Sequence, residues 1–265
     1  MPAALLAALF LAPLVFMVSG SLRQAGLPPP RTPELIPDPI AFGNYQRAFE
    51  LVDLPHYALN SLFVCAVAVP LTVLFASWTG FAMARLPRRW STLLVVLSLV
   101  ALMVPATALL VPRFVLFRWL GLIDTYVPLI APVLIGTSPF YVLLFYWAFR
   151  SLPAELFEAS RLAGLTPFQT WRRVAMPLVR PVAVAVAVLA FVFTWSNFLD
   201  PLIYLFDEDK YTLPLGLRVL SEVDRTNFPL FLAGAVAATA PVVIAFLYVQ
   251  RYFLQEYRAA GWLGR

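Results

Sequence analysis

Long apolar runs, almost free of charge, alternate with polar breaks along most of this chain. Six runs stand out, at about 1–22, 58–84, 91–115, 126–149, 181–205 and 229–249. Each is near the ~20 apolar residues that a helix needs to cross a bilayer. The runs are continuous rather than alternating, so they predict helices and not the strands of a barrel. Unpaired backbone groups are costly in lipid, which leaves a helical bundle as the expected fold. The expectation is an all-α membrane protein of six transmembrane helices in one domain, residues 1–265.

The breaks have their own grammar. A stretch rich in Pro and Gly, "GLPPPRTPELIPDP", and a mixed one, "NYQRAFELVDLPHYALN", separate the first two runs. Short links, "RLPRRW" and "FRWLGLIDT", flank the third. A polar loop, "FDEDKYTLPLGLRVLSEVDRTNF", precedes the sixth. Pro70, Pro105, Pro112, Pro132, Pro139 and Pro241 fall within or near run interiors. Each removes a helical hydrogen bond and invites a kink.

The longest break among the later runs is the insert at about 150–180. Ser151 ahead of Pro153 predicts a helix start, with a capping hydroxyl and then Pro in the first turn. "AELFEASRLA" follows as good helix formers, and Gly164 ends it. Thr166, Pro167 and Gln169 predict a second start, with a reciprocal capping box. That second helix runs to about Ala175 and Pro177 blocks its continuation. Phe168, Trp171 and Ala175 share one face at helical spacing, and Arg172 and Arg173 lie off it, placed for lipid head groups or acidic partners. Glu158 and Arg161 are spaced for an i,i+3 ion pair.

Composition agrees with the pattern. The chain is 62% hydrophobic and 12% charged, against about 45–50% and about 25% in soluble domains. Of its 19 basic residues only Lys210 is Lys. They sit in short loops rather than on one face, which argues for membrane orientation and against nucleic-acid binding. One side carries Arg85, Arg88, Arg89, Arg150, Arg161, Arg172, Arg173, Arg180, Arg251, Arg258 and Arg265. The other carries Arg23, Arg31, Arg47, Arg113, Arg118, Lys210, Arg218 and Arg225 over a greater length. The first side, with both termini, is expected to be cytoplasmic. The first run also reads as a signal peptide, but it lacks a basic n-region. It equally lacks a cytoplasmic anchoring charge, which leaves a start upstream of Met1 open.

Little here suggests an active site. His56 is the only His and Cys65 the only Cys, so a metal cluster and an internal disulfide are not expected. There is no H-E-x-x-H, no G-x-S-x-G and no G-x-x-x-x-G-K-[ST] phosphate loop. Ionisable residues are almost absent from run interiors, which disfavours an ion-coupled secondary transporter. Ser138, Tyr141, Trp195 and Asn197 are candidates for a substrate pathway, because ring faces beside hydroxyl and amide groups suit sugars. Helix packing would use the same side chains.

The insert carries a further pattern. Glu158-Ala159-Ser160, three residues, Gly164, nine residues, then Val174-Ala175-Met176-Pro177 resembles the EAA loop of ABC-importer permeases. "YALNSLFV", "FRSLPAELFEASRLAG", "MPLVRPVAVAVAVLAFVFTWSNFLDPLIYL" and "TLPLGL" are similar to the carbohydrate-uptake branch, in particular the shorter six-span permease of maltose- and glycerol-3-phosphate-type systems. Ala163 and "WSNF" replace frequent acidic positions of sugar permeases, which bears on the substrate and not on the importer class. The resemblance implies a type I importer fold in a bacterial inner membrane, with a cytoplasmic coupling helix. ATPase-coupling positions would be Glu155, Glu158, Ala159, Ser160, Gly164, Met176 and Pro177. It further implies a second homologous permease, a cytoplasmic ATPase dimer that binds ATP and Mg, and an extracytoplasmic solute-binding protein. This chain itself would need no cofactor.

Overall fold

A computed structural model describes residues 2–30, 34–134 and 138–259, with side chains over 5–30, 34–134 and 138–250. Arg31, Arg251, Arg258 and Arg265, used above for orientation, have side chains outside the described residues. Helices dominate: α1 (Pro2–Ser21), α2 (Gly43–Leu51), α3 (Leu54–Arg85), α4 (Arg88–Met103), α5 (Leu110–Trp119), α6 (Val127–Leu134), α7 (Pro139–Arg150), α8 (Ala154–Leu162), α9 (Pro167–Thr170), α10 (Met176–Leu178), α11 (Arg180–Trp195), α12 (Leu199–Tyr204), α13 (Leu213–Val223) and α14 (Phe228–Ala259). No strand occurs among the described residues.

Leu54–Arg85 and Phe228–Gln250 are long and apolar enough to cross a membrane, and α6 and α7, at the two ends of 127–150, make a third candidate span. Two bent pairs bring the number to five. The remaining expected span is a shorter apolar helix, Leu5–Ser21. Two of the expected spans are broken. The third breaks at Val104–Pro105, where α4 and the segment Ala106–Trp119 meet at 84°. Pro105 has no N–H to donate and forces Val104 out of the helical region, to φ −76°, ψ 117°. The fifth breaks between α11 and α12, where Asn197 Oδ1 accepts the Asp200 N–H at 3.2 Å in the first turn of α12.

The polar loop before α14 is also more ordered than its composition suggests. It contains α13, with Leu213, Leu215 and Leu220 buried. Its apolar positions follow helical spacing, which the surrounding charges disguise.

Backbone contacts divide the chain into two compact units. One comprises the residues up to Leu62 together with Trp195–Ile244. In it, Asn44 clamps the exit of α1, donating to the carbonyls of Ser21 at 2.8 Å and Arg23 at 2.7 Å. The start of α3 holds the loop ahead of α13. His56 Nε2 bonds the Asp209 carbonyl at 2.6 Å. Asn60 donates to the carbonyls of Asp209 at 2.8 Å and Tyr211 at 3.0 Å. Ser61 Oγ accepts the Leu213 N–H at 2.8 Å.

The other unit comprises Phe63–Thr194 with the chain from Ala245 onward. Its core is aromatic and aliphatic: Phe81, Phe145, Phe149, Phe157, Trp171 and Val186 are all buried. Gly80 lets α3 approach α7 closely, since a Cβ there would lie 2.7 Å from Phe145 Cβ and 2.8 Å from the Tyr146 nitrogen. Ser91 donates to the Tyr146 hydroxyl at 2.9 Å, tying α4 to α7.

Candidate functional site

The insert between α7 and α11 folds as two short helices with a turn between them. Gly164 adopts φ +72°, the left-handed conformation that a side chain disfavours. Its N–H donates to the Arg161 carbonyl at 3.0 Å, and the Leu165 N–H donates to that of Ser160 at 3.0 Å. These bonds close the C-terminus of α8 as a Gly cap does. The second start is as expected. Thr166 Oγ1 accepts the Gln169 N–H at 3.2 Å and Gln169 Oε1 accepts the Thr166 N–H at 3.0 Å.

Three local expectations need correction. Ser151 does not cap α8: its hydroxyl donates to the Ala148 carbonyl at 2.8 Å, at the end of α7. Pro153 is the N-cap of α8 instead. The second helix does not stop before Pro177, because a π turn over Trp171–Ala175 carries it into α10. Pro177 is tolerated there in a first turn, where its missing N–H costs little. The chain then bends by 84° between Pro167–Leu178 and α11. Finally, Glu158 and Arg161 make no ion pair among the described residues; both are exposed.

Packing fixes which face of α8 points inward. Phe157 is buried, with Phe81 of α3 at 6.2 Å between ring centroids. The Arg85 guanidinium, at the end of α3, lies 4.1 Å over the Phe157 ring. A cation–π contact of this kind contributes about 0.5–1 kcal/mol at an exposed site. The second helix is pinned in parallel: Trp171 is buried, 5.6 Å from Trp78 of α3, and Phe168 lies 6.2 Å from Trp78. Both helices of the insert therefore bear on the same end of α3.

The outer face of α8 is bare. Glu155, Glu158 and Ala159 are exposed, and Leu162 is 90% exposed. Ser160 is not on that face. It is buried, with its hydroxyl bonded to the Leu156 carbonyl at 2.7 Å. Met176 is half-buried and Pro177 exposed. Leu162 was missed in the sequence, although its spacing from Glu155 and Glu158 puts it on their face. The Arg85–Phe157 contact had no sequence signal, since the two residues are far apart along the chain.

The pathway candidates divide between the units. Ser138 and Tyr141 belong to one, Trp195 and Asn197 to the other. Trp195 is buried and its Nε1 donates to the Ala238 carbonyl at 3.0 Å, which is a packing contact of α11 with α14. Asn197 donates to Asp200 Oδ2 at 2.9 Å and serves the local turn. Ser138 precedes α7 and makes no side-chain cap, and Tyr141 packs against the aromatic core.

Known proteins give this geometry a context. Residues 72–259 match the family described as binding-protein-dependent transport system inner membrane component. The chain is 32% identical over 260 residues to the arabinooligosaccharides transport system permease protein AraQ of Bacillus subtilis, covering 97% of this chain and 92% of that one. It is 35% identical over 202 residues to AraQ of Halalkalibacterium halodurans, covering 76% and 72%. In fold it is similar to a chain of a bacterial ABC transporter involved in the import of the acidic polysaccharide alginate, with TM-score 0.78, 22% identity, and 95% and 93% of the two chains covered. The chain belongs to the family of binding-protein-dependent transport system inner membrane components.

Proposed function

We propose that this chain is the permease subunit of an ATP-driven importer for a sugar, oligosaccharide or polyol. It would form half of the translocation path beside a second, homologous permease. A cytoplasmic ATPase dimer would bind ATP and Mg, and an extracytoplasmic binding protein would deliver the solute. Residues 85–91 and 150–180 and both termini would face the cytoplasm, following the bias of Arg among the loops.

The observation that carries this reading is the two-sided build of α8. Its inner side is fastened to the end of α3 through Phe157, Phe81 and Arg85. Its outer side offers Glu155, Glu158, Ala159 and Leu162 with no partner among the described residues. A knob fastened on one side and bare on the other suits the transfer of motion from a separate motor to a long helix. Glu158 would face a basic residue of the ATPase and Leu162 would enter an apolar recess. The sugar class is supported by the arabinooligosaccharide relatives.

Glu158→Lys and Gly164→Pro should each abolish uptake while the subunit still inserts and is present at normal levels. Normal uptake in both would remove the coupling role. For the substrate class, thermal-shift screening of the cognate binding protein is decisive: sugars or polyols should stabilise it. Stabilisation by an amino acid alone, with sugars inert, would replace the class by another solute.

A further inference from the structure

Residues 35–42 hold a dense apolar patch outside the long runs. Ile36 is 82% exposed, Phe42 70%, Leu35 62% and Ile40 51%. Contiguous patches of this kind in a water-facing loop need an occupant. We propose that this segment is a membrane-surface anchor, lying in the lipid headgroup layer with Leu35, Ile36, Ile40 and Phe42 seated at the acyl boundary.

Depth argues for lipid. Both ends of the segment are tied to the last turn and exit of α1. The Ser19 hydroxyl donates to the Glu34 carbonyl. The Ala41 N–H donates to the Leu22 carbonyl at 2.7 Å. A helix of the 20 residues of α1 spans about 30 Å, the thickness of a hydrocarbon core. If α1 crosses the bilayer, its last turn lies at the headgroup border, and so does whatever is fastened to it.

The fastening is firm. Arg23 donates to the Glu34 carboxylate at 2.9 Å and to the Pro28 carbonyl at 2.8 Å. The Asn44 clamp fixes the far side, and the Ser21 and Tyr45 hydroxyls are 2.7 Å apart. Leu9, Phe10 and Val15 of α1 are exposed as well, as lipid-facing residues of a span would be. Asp38, exposed between Ile36 and Ile40, offers a polar side chain to the head groups. An interfacial segment with a polar side turned to water and an apolar side turned to lipid is stable in this layer. The proposal rests on the reading of α1 as a span.

The test uses the complete importer in nanodiscs of phosphatidylethanolamine and phosphatidylglycerol. Cys65→Ala removes the native thiol. Ile36→Cys, Phe42→Cys and, as a water-exposed reference, Glu208→Cys are each labelled with a polarity-sensitive fluorophore. A doxyl quencher carried on lipid should quench positions 36 and 42 at least about threefold more than position 208, as interfacial insertion requires. Lesser quenching at both positions overturns the proposal. Aqueous iodide then assigns the true surroundings: strong quenching means water, and protection from both quenchers means that a partner protein covers the patch.

Discussion

The stretch after α12, residues 206–223, and the stretch between α7 and α11, residues 150–180, are both polar breaks between apolar helices, yet their charges are satisfied differently. In the first, Lys210 pairs with Asp207 at 3.3 Å and Arg218 with Glu222 at 2.9 Å. Its backbone is held by His56, Asn60 and Ser61. In the second, Glu155, Glu158, Arg161, Arg172 and Arg173 make no ion pair among the described residues, and the holding contacts are aromatic. Exposed ion pairs are weak, about 0–1 kcal/mol each. Their distribution is therefore informative less as energy than as design: one polar break pairs four of its six charges within the chain, leaving Glu208 and Asp209, and the other presents its charges outward.

That contrast can be broken experimentally. Phe157→Ala deletes the pin of α8, and large aromatic truncations in a packed site cost about 3–5 kcal/mol. Uptake should fall to background while insertion persists, and proteases should cut residues 150–165 faster. Unchanged proteolysis would mean that α8 is held by something else. Leu162→Asp leaves the inner face intact. It should weaken co-purification of the ATPase by about tenfold, equivalent to about 1.4 kcal/mol, with no loss of thermal stability in the isolated subunit. Equal loss of both would erase the distinction between the two faces.

The opposite outcome is expected in the first stretch. Asn60→Ala removes two donors to carbonyls and should cost about 1 kcal/mol, a Tm shift of about 2–4 °C, with faster hydrogen exchange at 209–213 and largely retained uptake. Smallest of all, Gln169→Ala opens half of the capping box. It should cost less than about 1 kcal/mol and lower uptake by less than half. A large uptake defect in Asn60→Ala would show that the latched stretch also transmits motion.

The capping box at Thr166–Gln169 and the left-handed turn at Gly164 were legible because each depends on residues within one turn of one another. The helix breaks were half legible. Pro105 announced a kink but not its 84°, since a proline removes a bond without fixing where the freed chain goes. Ser151 misled because a hydroxyl at a helix junction can serve either neighbour, and here the end of α7 takes it. For Trp195 the sequence offered both a substrate pathway and helix packing, and its indole N–H bonds the Ala238 carbonyl.

The sequence by itself determined the apolar helices, the polar insert with its Gly turn, and the motif that identifies the family, because each is written in local spacing. Only the tertiary structure decided which side of α8 is bare, that Ser160 faces inward while Leu162 faces out, and that α8 packs on the end of α3 through Phe157, with Arg85 over its ring. Facing is set by where distant aromatic rings meet, and contacts between residues far apart in the chain leave no trace in its periodicity.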